Sequence, residues 1–103
     1  MRYRDMKDWI ERSGWTVNNT YHLYKCVKRE FSGGRFRGHW NVEMSGDSVI
    51  LTRLDDYDYA ILEFDGSGVS MECYFGDTGE QYNSDYVDSN YDESIINMIH
   101  ISF

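Results

Sequence analysis

Residues 59–75 read Tyr59-Ala60-Ile61-Leu62-Glu63-Phe64, then Asp65-Gly66-Ser67-Gly68, then Val69-Ser70-Met71-Glu72-Cys73-Tyr74-Phe75. Two runs of strand-favouring residues flank a short turn with two glycines, which is the signature of a β-hairpin. Side chains alternate across a strand, so Ala60, Leu62 and Phe64 are expected inward with Val69, Met71, Cys73 and Phe75. A chain with such a hairpin at its centre needs further strands to bury that inward face.

Those strands read upstream. Ser48 to Leu54 is strand-like and ends at Asp55-Asp56. Ser45-Gly46-Asp47 turns the chain, and Phe36 to Met44 alternates, with Phe36, Trp40, Val42 and Met44 on one side and Arg37, His39, Asn41 and Glu43 on the other. Ser32-Gly33-Gly34 is another turn, and Thr20 to Phe31, rich in Tyr and Val, reads as the first strand. Consecutive strands joined by short turns pair in sequence order. Before them, Tyr3, Met6, Trp9 and Ile10 recur at helical spacing, Lys7–Glu11 and Asp8–Arg12 lie four apart, and Gly14 follows, which predicts a helix over Tyr3–Ser13.

Beyond the hairpin, Gly76 to Asn90 is polar and reads as a long loop. In Tyr91 to Phe103, Ile95, Ile96 and Ile99 suit a helix capped by Asp92, although Ile95, Ile99, Ile101 and Phe103 also alternate as a strand would. The expectation is one α+β domain over residues 1–103. It consists of an antiparallel β-meander of about five strands, an N-terminal helix packed on it and a short C-terminal helix.

The composition fits one domain of 103 residues, with 41% hydrophobic content, nine tyrosines and no proline. Cys26 and Cys73 are far apart in sequence and read as small core hydrophobes with reduced thiols. The N-terminus does not read as a signal peptide, and no apolar run approaches the roughly 18 residues of a membrane span, so a cytoplasmic chain without membrane contact is expected.

Charge is segregated. Residues 1–40 hold nine bases and four acids, a balance of +5, while residues 41–103 hold Arg53 against fourteen acids, a balance of −13. Two acidic stretches carry tyrosines: Asp55-Asp56-Tyr57-Asp58-Tyr59, and Asp77 to Glu93 with Glu80, Tyr82, Asp85, Tyr86, Asp88, Tyr91 and Asp92. Rows of carboxylates imitate the phosphates of a nucleic acid, and tyrosine adds the rigid aromatic contact that interfaces favour. In a helix, Asp85, Asp88 and Asp92 would share a face. The plainer reading of both stretches is a solvated, charged surface. A basic stretch, Lys25, Lys28, Arg29, Arg35 and Arg37, is interleaved with Tyr24, Phe31, Phe36 and Trp40 and would suit a nucleic-acid-reading hairpin over residues 25–37. The net charge of −8 opposes direct binding to nucleic acid.

No catalytic, cofactor or metal signature stands out. His22, His39, His100 and the two cysteines are scattered, and on a strand His22 and Cys26 would lie roughly 13 Å apart, too far to share an ion. Asp55, Asp56 and Asp58 lack the glycine and distal glutamate of a calcium loop. The chain is therefore expected to act by binding, not as an enzyme.

Small size, acidity and the lack of proline and catalytic motifs together resemble the small phage-encoded inhibitors, anti-CRISPR and anti-restriction proteins among them. The resemblance is one of general character and carries no residues over. It implies a partner that is a host protein with a basic nucleic-acid-binding surface, met in the host cytoplasm and blocked by charge mimicry. The expected contacts are Asp55, Asp56, Tyr57, Asp58, Asp77, Glu80, Tyr82, Asp85, Tyr86, Asp88 and Asp92. The alternatives are a nucleic-acid-binding module using the 25–37 hairpin, or an immunity protein or antitoxin; a homodimer is compatible with each.

Overall fold

The hairpin at residues 59–75 forms, with the expected face inward except at Phe75. In the computed structural model, which describes residues 16–32 and 38–103, β3 (Tyr59–Phe64) pairs antiparallel with β4 (Val69–Tyr74), with Ala60 opposite Cys73, Leu62 opposite Met71 and Phe64 opposite Val69. Ala60, Leu62, Val69, Met71 and Cys73 are fully buried, while Phe64 is half-buried. Phe75 falls outside this face. It lies one residue past β4 and is 41% exposed, because the strand ends before the alternation can carry it inward.

Around the hairpin, β1 (Trp40–Ser45), β2 (Ser48–Arg53) and β5 (Gln81–Val87) complete a five-stranded antiparallel sheet in the order β1-β2-β3-β4-β5. A helix, α1 (Thr20–Phe31), precedes the sheet and a second, α2 (Asp92–Ser102), follows it, so the architecture is α+β. Among the described residues, no helix is long and apolar enough to cross a membrane.

Two segments differ from the sequence reading. Thr20–Phe31 is helical, not a strand. Its tyrosines and valine favour strands, but Asn19 caps the segment by accepting a hydrogen bond from the His22 N–H at 2.8 Å. Leu23, Cys26, Val27 and Phe31 then fall on one buried stripe at helical spacing. Lys28 and Arg29 in the last turn complement the helix dipole. The other departure is Gly76–Asn90, read as a loop, which contains β5. This strand is an edge, mostly exposed, so it carries no apolar alternation and is held by its pairing with β4.

The C-terminal helix forms, with one correction: its cap is Tyr91, in extended backbone, and Asp92 is the first helical residue. The helix expected over Tyr3–Ser13 and the Phe36 position lie outside the described residues. On β1, Trp40 and Val42 pack half-buried against the core, but Met44 is 47% exposed. The inward face fades along this edge strand.

Both helices lie on one face of the sheet. α1 packs on β1 to β3, α2 packs on β4 and β5, and the helices touch each other. Val17, beside α1, joins the core through its N–H to the Asn90 carbonyl at 2.7 Å. The layer between helices and sheet holds Leu23, Val27, Phe31, Leu51, Leu62, Met71, Ile95 and Ile99. No described element packs on the opposite face of the sheet.

Candidate functional site

In a meander, alternate turns share an end. The β2–β3 turn (Leu54 to Asp58) and the β4–β5 turn (Phe75 to Glu80) therefore meet at one tip of the sheet. The Gly76 N–H donates to Asp58 Oδ1 at 2.9 Å and ties the two turns together. Their backbones touch so closely that a Cβ on Gly76 would stand 2.4 Å from the Tyr57 carbonyl carbon and oxygen. Only glycine leaves this contact unstrained.

Tyr57 itself has φ of 64°, the sole positive φ at a non-glycine residue among those described, and 65% of it is exposed. Its N–H donates to the Arg53 carbonyl at 2.7 Å. A bulky residue in the left-handed region costs on the order of 1 kcal/mol or more, so the turn is held by its surroundings. Arg53 is central to them. Its Nε reaches both Asp56 oxygens at 3.0 and 3.1 Å, and its Nη2 reaches Asp58 Oδ2 at 3.0 Å. The guanidinium also lies over the Phe103 ring at 5.1 Å and the Trp40 ring at 6.0 Å. Its hydrogen bond holds the Asp56 carboxyl below the usual range.

The tip thus carries Asp55, Asp56, Asp58, Asp77 and Glu80 on its two turns, with Arg53 paired to Asp56 and Asp58 and His39 Nδ1 at 3.9 Å from Asp55. Three apolar side chains are exposed among them: Leu54, Tyr57 and Phe75. Tyr82 occupies the extra position where the β4–β5 register shifts, and stacks on Phe75 with centroids 4.4 Å apart. Burial pushes its phenol upward.

Seven of the eleven residues expected to make contacts converge here: Asp55, Asp56, Tyr57, Asp58, Asp77, Glu80 and Tyr82. The other four do not. Asp85, on β5, accepts a hydrogen bond from the Ser102 hydroxyl and another from the Tyr86 N–H. Tyr86 donates its hydroxyl to Asp65 Oδ2 at 2.9 Å, at the opposite end of the sheet. Asp88 lies just past β5 and is exposed. Asp92 is fully buried and ion-paired with Arg29, which removes it from any contact surface. The helical face proposed for Asp85, Asp88 and Asp92 does not exist, because β5 and α2 divide them.

The 25–37 hairpin is not formed either. Lys25, Lys28 and Arg29 are on α1, with Lys28 Nζ donating to the Tyr24 hydroxyl at 2.9 Å, and Arg35 and Arg37 lie outside the described residues. On that helix His22 and Cys26 are one turn apart, not strand-spaced, but among the described residues no group of three His, Cys, Asp or Glu side chains could hold a metal ion.

Leu54 and Phe75 were missed as contact candidates because the sequence assigns one to a strand end and the other to the core. Both become exposed only because the strands stop where they do. No family model, curated protein or solved structure matches the chain. The chemistry of this tip therefore has to carry the functional reading.

Proposed function

We propose that the protein is a small acidic inhibitory binding protein, of the phage-encoded anti-CRISPR or anti-restriction kind. In this reading it acts in the host cytoplasm by occupying the basic nucleic-acid-binding site of a host enzyme or defence complex. The observation that carries it is the tip: two acidic turns, distant in sequence, tied through Gly76 and Asp58 around an exposed Tyr57. Carboxylates there repel nucleic acid and attract Lys and Arg, while Leu54, Tyr57 and Phe75 supply apolar area at the centre. Among the described residues the one Lys or Arg at the tip is Arg53, and the geometry already commits it to Asp56 and Asp58.

The test is capture from a bacterial lysate on immobilised protein, run beside a variant with Asp55→Asn, Asp77→Asn and Glu80→Gln. These three side chains are exposed, so their loss leaves the fold intact. The expected result is a nucleic-acid-binding protein retained by the parent and lost from the variant. Retention of the same proteins by both would overturn the reading.

A further inference from the structure

The face of the sheet turned away from the helices carries a pattern that the tip does not explain. Register aligns Glu43 with Ile50, Ile50 with Ile61, and Ile61 with Glu72, one row across β1 to β4. The row therefore reads acid, isoleucine, isoleucine, acid. Strands lie about 4.8 Å apart, so the two carboxylates are separated by roughly 14 Å of backbone, with the apolar pair between them. In the neighbouring row, towards the tip, Tyr59 stacks on Tyr74 with centroids 5.0 Å apart and planes 13° apart. On the other side of the row stands Glu63.

Among the described residues, the charge on this face is of one sign. Glu63 accepts a hydrogen bond from Ser48, and Glu72 accepts one from Tyr74. Among the described residues, none of Glu43, Glu63 and Glu72 meets a cation. The described bases are elsewhere: Lys25, Lys28 and Arg29 on α1, and Arg53 over the Trp40 and Phe103 rings on the helix side. An open sheet face that only had to stay soluble would mix signs and would not place two isoleucines and a tyrosine stack at its centre.

We infer that this face docks a cationic amphipathic helix of the partner protein, with aliphatic side chains over Ile50 and Ile61 and Lys or Arg reaching Glu43 and Glu72. A helix rises 1.5 Å per residue, so about three turns span the row. The contact runs on from the tip through Tyr59 and Tyr74. The inference rests on the proposed basic partner and adds a second, apolar-centred surface to it.

The test uses the full chain, labelled with 15N, and a synthetic 18-residue Leu/Lys amphipathic helix, with a Gly/Ser/Lys peptide of equal charge as control. Low-salt titration of the helical peptide is expected to shift the amides of Ile50, Ile61, Glu72 and Tyr74. Glu43→Gln with Glu72→Gln is expected to weaken its binding about tenfold, and Ile61→Thr to weaken it without unfolding the sheet. The control peptide is expected to bind more weakly. Shifts confined to residues 54–58 and 75–80 would overturn the face and leave the tip standing. Equal binding of the two peptides would also overturn it. So would a shift of the same face amides in the free protein on Lys7→Glu with Arg12→Glu, since the chain would then be covering the face itself.

Discussion

At residue scale, the tip depends on one glycine. Gly76 has no side chain where a methyl group would collide with the Tyr57 backbone. Gly76→Ala is expected to cost roughly 1–3 kcal/mol, the range for overpacking a close contact, and to loosen the β2–β3 turn. Chemical denaturation checks the first part, and amide exchange at Tyr57 and Asp58 checks the second. An unchanged midpoint with unchanged exchange would show that the turns are not tied as described. A second residue, Asp65, reports the opposite end. Its carboxylate accepts N–H bonds from Ser67 and Gly68 and the hydroxyl of Tyr86, which together hold its pKa down to about 2. A depressed folded pKa contributes stability above the ordinary carboxylate value of about 3.9, and that contribution is lost as pH falls through about 2. The carboxyl resonance of Asp65 should therefore titrate near 2, and Tyr86→Phe should raise that midpoint. A midpoint near the ordinary value in the parent would contradict the arrangement.

At the scale of elements, what was legible in the sequence followed from burial. Residues 59–75 alternate because one face is in the core, and the register came out as the alternation required. Leu62→Ala should cost roughly 2–5 kcal/mol, as for other large-to-small changes at fully buried sites; a denaturation midpoint equal to the parent's would mean that this face is not the core. The helix α1 was misread because its tyrosines and valine favour strands one residue at a time. The Asn19 cap and the Leu23-Cys26-Val27-Phe31 stripe outweigh that preference once there is a sheet to pack on. β5 was illegible for the opposite reason. An exposed edge strand is specified by its neighbour's hydrogen bonds, and Gln81–Val87 carries no apolar alternation to announce it. Asp92 shows how this spread to the candidate site. In sequence it continues the acidic run, but the start of α2 turns it inward to Arg29.

For the whole molecule, the segregation of charge in the chain carries over into space only in part among the described residues: Arg29 pairs with Asp92 in the helix layer, and Arg53 stands at the tip. Lys25, Lys28 and Arg29 lie on α1, while the tip carries exposed Leu54, Tyr57 and Phe75 among its carboxylates, and the sheet face away from the helices carries Glu43, Glu63 and Glu72 around half-buried Ile50 and Ile61. Seven contact candidates met at the tip because a meander returns alternate turns to one end. That outcome follows from the 59–75 hairpin, which sets Tyr59 opposite Tyr74, and so was not visible in either acidic stretch alone. A surface of this kind works mainly on encounter, so added salt should slow association with a partner more than it speeds dissociation.

The most direct measurement is a competition on the captured partner: its nucleic acid at saturating concentration, followed by the protein and by the Asp55→Asn, Asp77→Asn, Glu80→Gln variant. Mutually exclusive binding is expected, with the variant at least about tenfold weaker than the parent, equivalent to about 1.4 kcal/mol from a few partly screened charge pairs. A stable complex holding partner, nucleic acid and protein together, with the variant binding as tightly as the parent, would contradict it.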